Sequence, residues 1–240
     1  MVAVRPREIH SVYVAEHGCK WRGLPKRFGN RHTIYTRMSR WSRNGVLDRV
    51  FTMLQREQIV RIKIEAVSLD STSVKVHPDG TGALKKTAHS PLANMVAADA
   101  RTAITFALSP GQAHDAPAAR ELWSGLGAPA WPMHLLMDRA YEGDATRQLA
   151  LDLGFTPVVP PLSSRIQPWE YDRAMYKRRN EIERLFRRLK GFRRIFSRFE
   201  KLDVMFIGFI TFALIVKAMR SVNTPQAFAV AAAARRRGVV

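Results

Sequence analysis

Apolar positions along the first sixty residues recur at helical spacing. Ile34, Met38 and Trp41 form one stripe, and Val46, Val50, Phe51 and Leu54 form a second. The pattern predicts helices over residues 33–41 and 45–57 around a Ser42-Arg43-Asn44-Gly45 turn. A shorter helix is expected over 6–17, stopped by Gly18, followed by a turn at Trp21–Pro25.

From Ile64 the periodicity changes. Ile64–Asp70 predicts a strand that ends in an acid, with Val74–His77 continuing it or pairing with it. Strands are expected at Asn94–Ala98 and Ala103–Leu108, antiparallel to the first, then a helix at Ala116–Trp123. Met133–Met137 reads as a buried strand that again runs into an acid, Asp138. An amphipathic helix over Asp144–Leu153 closes at Gly154, and a strand over Phe155–Val159 stops at Pro160-Pro161. After a polar loop at 162–173, helices are predicted at 174–190 and 203–222, and the tail from Ala227 to Val240 as a frayed or partly helical end. Three strands, helix, strand, helix, strand, helix describes an α/β domain: a mixed sheet with helices on both faces and two strand-end acids at one edge.

The helix over 174–190 carries a second pattern. Tyr176, Arg179, Glu183 and Lys190 fall at roughly 0°, 300°, 340° and 320°, given about 100° per helical residue. Ile182, Leu185, Phe186 and Leu189 fall between about 180° and 280° on the same count. One stripe packs inward, and at its edge a carboxylate sits among an aromatic hydroxyl and two cations.

Charge narrows the class of partner. The 240-residue chain has a net charge of +19, with 14 Lys/Arg against 5 Asp/Glu in residues 1–65 and 11 against 3 in residues 176–201. Between them, residues 66–175 carry 9 against 11. A near-neutral body flanked by basic segments suits a polyanion such as nucleic acid. Arg31, Arg37, Arg40 and Arg43 lie on or beside the first of two helices about a tight turn. That is the outline of a helix-turn-helix, and equally of a basic hairpin that only packs on the main domain. Arg187 on the signature helix is a further candidate DNA contact, and Arg193, Arg194, Arg198 and Lys201 extend the basic surface beyond that helix, for phosphate contact rather than base readout. The single Cys19 excludes an internal disulfide and a Cys-based zinc site, and fits a reducing compartment. No signal-peptide-like stretch opens the chain, and Val204–Val216 is short for a membrane span, so no membrane partner is expected.

A lone acid on a helix that meets a polyanion calls for a cation beside it. Asp70, Asp138 and Glu183 together could hold two divalent ions ~4 Å apart, one activating a water or 3′-hydroxyl and the other stabilising the leaving oxygen. Hard oxygen donors suit Mg²⁺ or Mn²⁺. Taken singly each acid has a plainer reading: a strand-end Asp as a turn former, a helical Glu among arginines as a surface ion pair. His77 and His114 lie near the same site, either ordering a phosphate or water or making structural hydrogen bonds. Arg139 and Tyr141 either face substrate or shape the strand end.

Four stretches occur in order: Asp70-Ser71-Thr72-Ser73-Val74-Lys75-Val76-His77, Gly111-Gln112-Ala113-His114-Asp115, Asp138-Arg139-Ala140-Tyr141, and Tyr176/Arg179/Glu183/Lys190. The chain resembles the DDE transposases of small bacterial insertion sequences through these motifs, from about residue 17 to 223. The Tyr-x2-Arg-x3-Glu-x6-Lys spacing is met without deviation. The resemblance implies a ribonuclease-H-like fold, with Asp70, Asp138 and Glu183 as a metal-binding catalytic triad using two Mg²⁺ or Mn²⁺ ions. The reaction implied is strand cleavage and transfer at the ends of a mobile element. It implies DNA contacts by Tyr176, Arg179 and Lys190 near the cut, and Gly18-Cys19-Lys20-Trp21-Arg22-Gly23-Leu24-Pro25 resembles that family's helical DNA-binding segment. The partners expected are double-stranded DNA, as terminal inverted repeats and target, and a second copy of the chain on that DNA. The location expected is the bacterial cytoplasm and its nucleoid. The division expected is 1–60 as a shortened DNA-binding segment, 61–223 as the catalytic domain and 224–240 as a basic, disordered tail.

Two departures keep an alternative open. About 17 residues precede the Gly18-Cys19-Lys20-Trp21 motif, fewer than is usual in the family. Thr87–Asn94 replaces a longer basic, Gly-rich stretch, and Pro91 is poorly suited to a central strand. A decayed or truncated copy that binds DNA without catalysis is the second reading, and a host nuclease of the same fold the third.

Overall fold

The protein is described from a computed structural model, over residues 10–59, 64–77, 92–97, 103–109 and 115–222. The Gly111–His114 motif, Lys85-Lys86, Thr87–Pro91 and the tail from residue 223 lie outside the described residues.

Three helices lead: α1 (His10–His17), α2 (Arg31–Arg43) and α3 (Val46–Ile59). Gly18 and Gly45 take positive φ, 62° and 65°, and so allow the reversals that end α1 and separate α2 from α3. The expected turn at Trp21–Pro25 is present as a 3-10 turn over Trp21–Gly23. Asn30 caps α2, its side chain accepting from His32 N–H.

A five-stranded sheet follows in the order β4-β3-β1-β5-β6. Its strands are β1 (Ala66–Ser73), β3 (Leu92–Ala97), β4 (Ala103–Ser109), β5 (Met133–Met137) and β6 (Phe155–Val158). β3 runs antiparallel to β1 and β4, while β1, β5 and β6 are parallel. The order is that of the ribonuclease-H-like fold. Helix α4 (Asp115–Ser124) lies between β4 and β5 in the chain, and helix α5 (Asp144–Asp152) between β5 and β6.

Side chains alternate across the sheet, and the alternation decides what each helix layer covers. Val67, Leu69, Leu135 and Met137 pack with Trp123 of α4 and Ala150 of α5 in one core. Ala66, Leu136 and Val158 point the other way, towards Tyr171, Met175 and Tyr176. That second face is covered by α7 (Asn180–Lys190), with α9 (Asp203–Val222) packed against α7.

The larger core merges the leading helices with the body. Val12, Ile34, Met38 and Leu47 cluster with Ile182, Leu185, Phe186 and Leu189 of α7 and with Phe206, Phe209 and Leu214 of α9. The apolar run at Val204–Val216 is thus the centre of a buried helix, and among the described residues no helix is long and apolar enough to cross a membrane. α9 passes close to α2 at Gly208, where an added Cβ would stand 2.7 Å from Ser42 Cβ. Gly208→Ala is therefore expected to lower stability by about 1–3 kcal/mol through overpacking. Chemical denaturation would show it, and Ser42→Gly in the same chain should restore most of the loss.

Three sequence expectations need correction. Asp70 does not end its strand: β1 continues to Ser73, because Ser71, Thr72 and Ser73 pair with Asn94, Ala93 and Leu92 of β3. Val74–His77 neither continues β1 nor pairs with it. β2 (Lys75–Val76) instead pairs in parallel with β7 (Ser197–Arg198). The helix over 174–190 is broken into α6 (Arg173–Tyr176), a 3-10 turn over Lys177–Arg179, and α7. Three consecutive cations are poor company for the positive end of a helix, whereas Glu181 and Glu183 suit it, so α7 begins at Asn180.

Candidate active site

The register places the first two acids. Parallel pairing of β1 with β5 ends at Leu69 opposite Met137. Asp70 and Asp138 are each one residue further on, at the edge where β5 stops and β1 runs on. Both have the parity of Ala66 and Leu136, so both belong to the face covered by α6 and α7. Glu183, in the first turn of α7, approaches that edge from above.

Arg179 ties this group together. Its Nη1 donates to Asp70 Oδ2 at 3.3 Å and its Nη2 to Glu183 Oε1 at 2.7 Å. The side chains of Asp70 and Arg179 are 15% and 19% exposed, while Glu183 is 40% exposed. Asp70 Oδ1 accepts from Ser71 N–H at 2.8 Å. Asp138 accepts from Arg139 N–H at 2.6 Å and caps the 3-10 turn Arg139–Tyr141. The turn-forming role and a place in the acid cluster therefore coexist in Asp138.

Burial pushes the Asp70 carboxyl up to about 6, and the negative charges of Asp138 and Glu183 add to the rise. The Ser71 N–H and the Arg179 guanidinium oppose it without cancelling it. Burial likewise raises the Tyr176 phenol, against the pull of Arg179. Tyr176 stacks edge-on against Tyr171 at 5.6 Å, with the Arg179 guanidinium 5.8 Å from its ring. Among the described residues no three His, Cys, Asp or Glu side chains stand ready to enclose a metal ion. Between Asp70 and Glu183 stands the guanidinium.

The remaining expected contact residues divide by exposure. Arg139, Arg187 and Arg193 are exposed. Lys190 is half-buried in the last turn of α7, about 10 Å along the helix from Glu183, and lines a small apolar cleft with Thr72 and Val74. Arg31, Arg37, Arg40 and Arg43 are all exposed on α2, whose buried residues are Ile34 and Met38.

Arg194 and Arg198 correct the reading of a continuous basic surface. Arg194 is 3% exposed and Arg198 is 0% exposed. Arg194 pairs with the buried Glu200 at 2.5 Å and donates to the carbonyl of Cys19. Arg198 donates to the Glu200 carbonyl at 2.8 Å and pairs with Asp203. The Arg194 guanidinium joins the leading segment to the body and its charge does not reach solvent, while Arg198 ties together residues 200–203. His77 stacks on Phe199 at 3.8 Å, a packing role, while Tyr141 is buried beneath the Asp138 turn.

One feature beside the site has no sequence signal. The loop before α6 is strapped to the Asp138 turn. Arg165 pairs with the buried Glu142 and with Asp144, and Trp169 stacks under Arg147 at 3.5 Å. Glu142 follows Asp138 by four residues, but only the fold brings Arg165 to it.

The structure thus sets two acids at the central edge of a ribonuclease-H-like α/β sheet and a third on the covering helix. Residues 61–216 match the transposase DDE domain family, and residues 9–51 match the "Putative transposase of IS4/5 family". The chain belongs to the transposase DDE domain family, among the transposases of insertion sequences. It is similar to a "Putative transposase for insertion sequence element IS6501" of Brucella ovis, 36% identical over 106 residues, which cover 44% of this chain and 79% of that protein. It is also similar to an uncharacterized protein, y4sN, of Sinorhizobium fredii, 36% identical over 72 residues, 30% of this chain and 54% of that one. Among solved structures, the catalytic domain of the Mos1 mariner transposase is 11% identical with a TM-score of 0.32, covering 76% of this chain and 90% of that one. As a DDE transposase the chain is an enzyme acting on DNA, in a family that depends generally on divalent metal.

Proposed function

We propose that Asp70, Asp138 and Glu183 are the catalytic triad, and that with two Mg²⁺ or Mn²⁺ ions they cleave and join DNA strands at the ends of an insertion sequence. The observation that carries this reading is the register. Asp70 and Asp138 stand side by side one step beyond the last β1–β5 pair, and Glu183 is linked to Asp70 through one guanidinium. The donors fit a hard divalent ion: carboxylate oxygens at a site where burial first, and the neighbouring acids after it, hold Asp70 up at about 6. Bound there, divalent metal would supply a nucleophilic oxygen and stabilise the leaving one. The protein's part is to fix the acids on two rigid strands and a helix. Arg139, Arg187 and Arg193 supply exposed cations around them for the phosphate backbone, with Tyr176, Arg179 and Lys190 nearest the cut.

The two matched stretches support a working division at about residue 60. The leading segment contributes α2 to terminal-repeat and target DNA, and residues 61–223 carry the chemistry. Joining two ends favours self-association of the chain on DNA in the nucleoid. Replacing Arg37, Arg40 and Arg43 by Ala is expected to weaken duplex binding and to reduce the slope of log K against log salt by up to about 3. An unchanged slope would remove α2 from the interface.

The test of the function is cleavage and strand transfer on a labelled duplex carrying the flanking inverted repeat, in Mn²⁺, with wild type and Glu183→Ala. Cleavage and joining by the wild type alone supports the reading. Binding without cleavage by either protein would replace it with a binding-only copy, and cleavage without joining with a nuclease.

A further inference from the structure

The acid cluster is occupied by a side chain at the place where the proposed function needs a metal. Arg179 reaches Asp70 and Glu183 with two different nitrogens, at 3.3 and 2.7 Å. It projects from a 3-10 turn rather than from the body of α7, on a long stem that can turn away without moving the backbone. Glu183, more exposed than Asp70 or Arg179, can follow or release it. No three acid, His or Cys side chains among the described residues are set for a metal as they stand, and the guanidinium fills the space between Asp70 and Glu183.

We propose that Arg179 is an exchangeable counter-ion: it clasps Asp70 and Glu183 while the site is metal-free, and a divalent cation must displace it to bind. This rests on the metal-site reading above. A guanidinium and a divalent ion compete for the same two carboxylates, and both cannot lie between them. Displacement also frees Arg179 for a phosphate, so metal loading and DNA contact reinforce each other. Arg179 therefore has two jobs in sequence: it relieves repulsion among three acids in the empty protein, then meets the nucleic acid once metal has taken its place.

The test measures Mn²⁺ binding to the full chain without DNA, by calorimetry and by the paramagnetic resonance of free Mn²⁺. Wild type is compared with Arg179→Gln, Arg179→Lys and Asp70→Asn. Arg179→Gln is expected to bind Mn²⁺ roughly fivefold or more tightly than wild type. Arg179→Lys, which cannot span both acids, should fall between, and it carries the test if the glutamine variant does not fold. Unchanged or weaker binding in these variants, with binding lost in Asp70→Asn, overturns the counter-ion role and leaves the metal site standing. Equal binding by wild type and Asp70→Asn, or none by any protein, overturns the metal site and the counter-ion role with it. Binding seen only in the Arg179 variants would be the strongest form of the expected result.

Discussion

Glu200→Ala is expected to destabilise the protein by about 3–5 kcal/mol, because it leaves the buried Arg194 without its carboxylate. Glu200 and Arg194 are each 4% exposed and lie 2.5 Å apart. Burial raises the Glu200 carboxyl, and Arg194 opposes that rise as its partner. Arg194 also spans three aromatic rings, Trp21, Phe199 and Phe209, and holds the Cys19 carbonyl. Cutting the pair therefore strikes where the leading segment joins the body. For a chain of ordinary stability, about 5–15 kcal/mol, the loss is a large fraction of the whole. Urea unfolding measures it. Glu200→Gln should lose less, since it keeps a hydrogen-bonding oxygen, and the double variant Arg194→Met/Glu200→Leu should return close to wild type. A loss under about 1 kcal/mol in Glu200→Ala would mean that the pair acts as a surface bridge does.

The same residues show where sequence reasoning stops. Arg193 and Arg194 are neighbours in a run of cations, and nothing local separates them. Yet the chain turns at Gly191 into α8 (Arg193–Phe196), and that reversal sends one side chain to solvent and the other into the core. Burial of a charge depends on its partner, and Glu200 is recognisable as that partner only once α8 has formed. The sheet was far more legible. Strands of alternating or continuous apolar character announce themselves, and acids following two of them already place Asp70 and Asp138 at one edge, while the face they share comes from the β1–β5 register. Glu183 was legible through its helical spacing to Arg179. Broken helicity at Lys177–Arg179 was not, because it depends on which charges sit at the positive end of α7. The extra length of β1 was hidden too: Ser71, Thr72 and Ser73 look like a loop until β3 pairs with them.

Asp70→Asn should separate stability from catalysis. In the metal-free protein the Asp70 carboxyl stands at about 6 against a usual 3.8, mainly because it is buried. The folded state thus holds this proton more tightly than the unfolded chain does. The group's stabilising contribution is complete below about pH 3.8, and it is lost as pH rises through about 6. Above that, the ionised carboxylate weakens the fold by up to about 3 kcal/mol, since each tenfold gain in proton affinity on folding corresponds to about 1.36 kcal/mol. Asparagine keeps the shape and carries no charge to bury. At about pH 7 and without metal the variant is expected to be more stable than wild type, with a flatter dependence between about pH 4 and 6. Denaturation at several pH values would show both effects. The same variant should lose cleavage by a factor on the order of 10³ or more, since an amide is a poor replacement for a carboxylate ligand. Mn²⁺ should raise the melting temperature of wild type and leave that of Asp70→Asn nearly unchanged. If the variant is instead less stable near neutral pH, the Arg179 clasp outweighs the burial of Asp70, and the empty site is held together by attraction rather than strained by its acids.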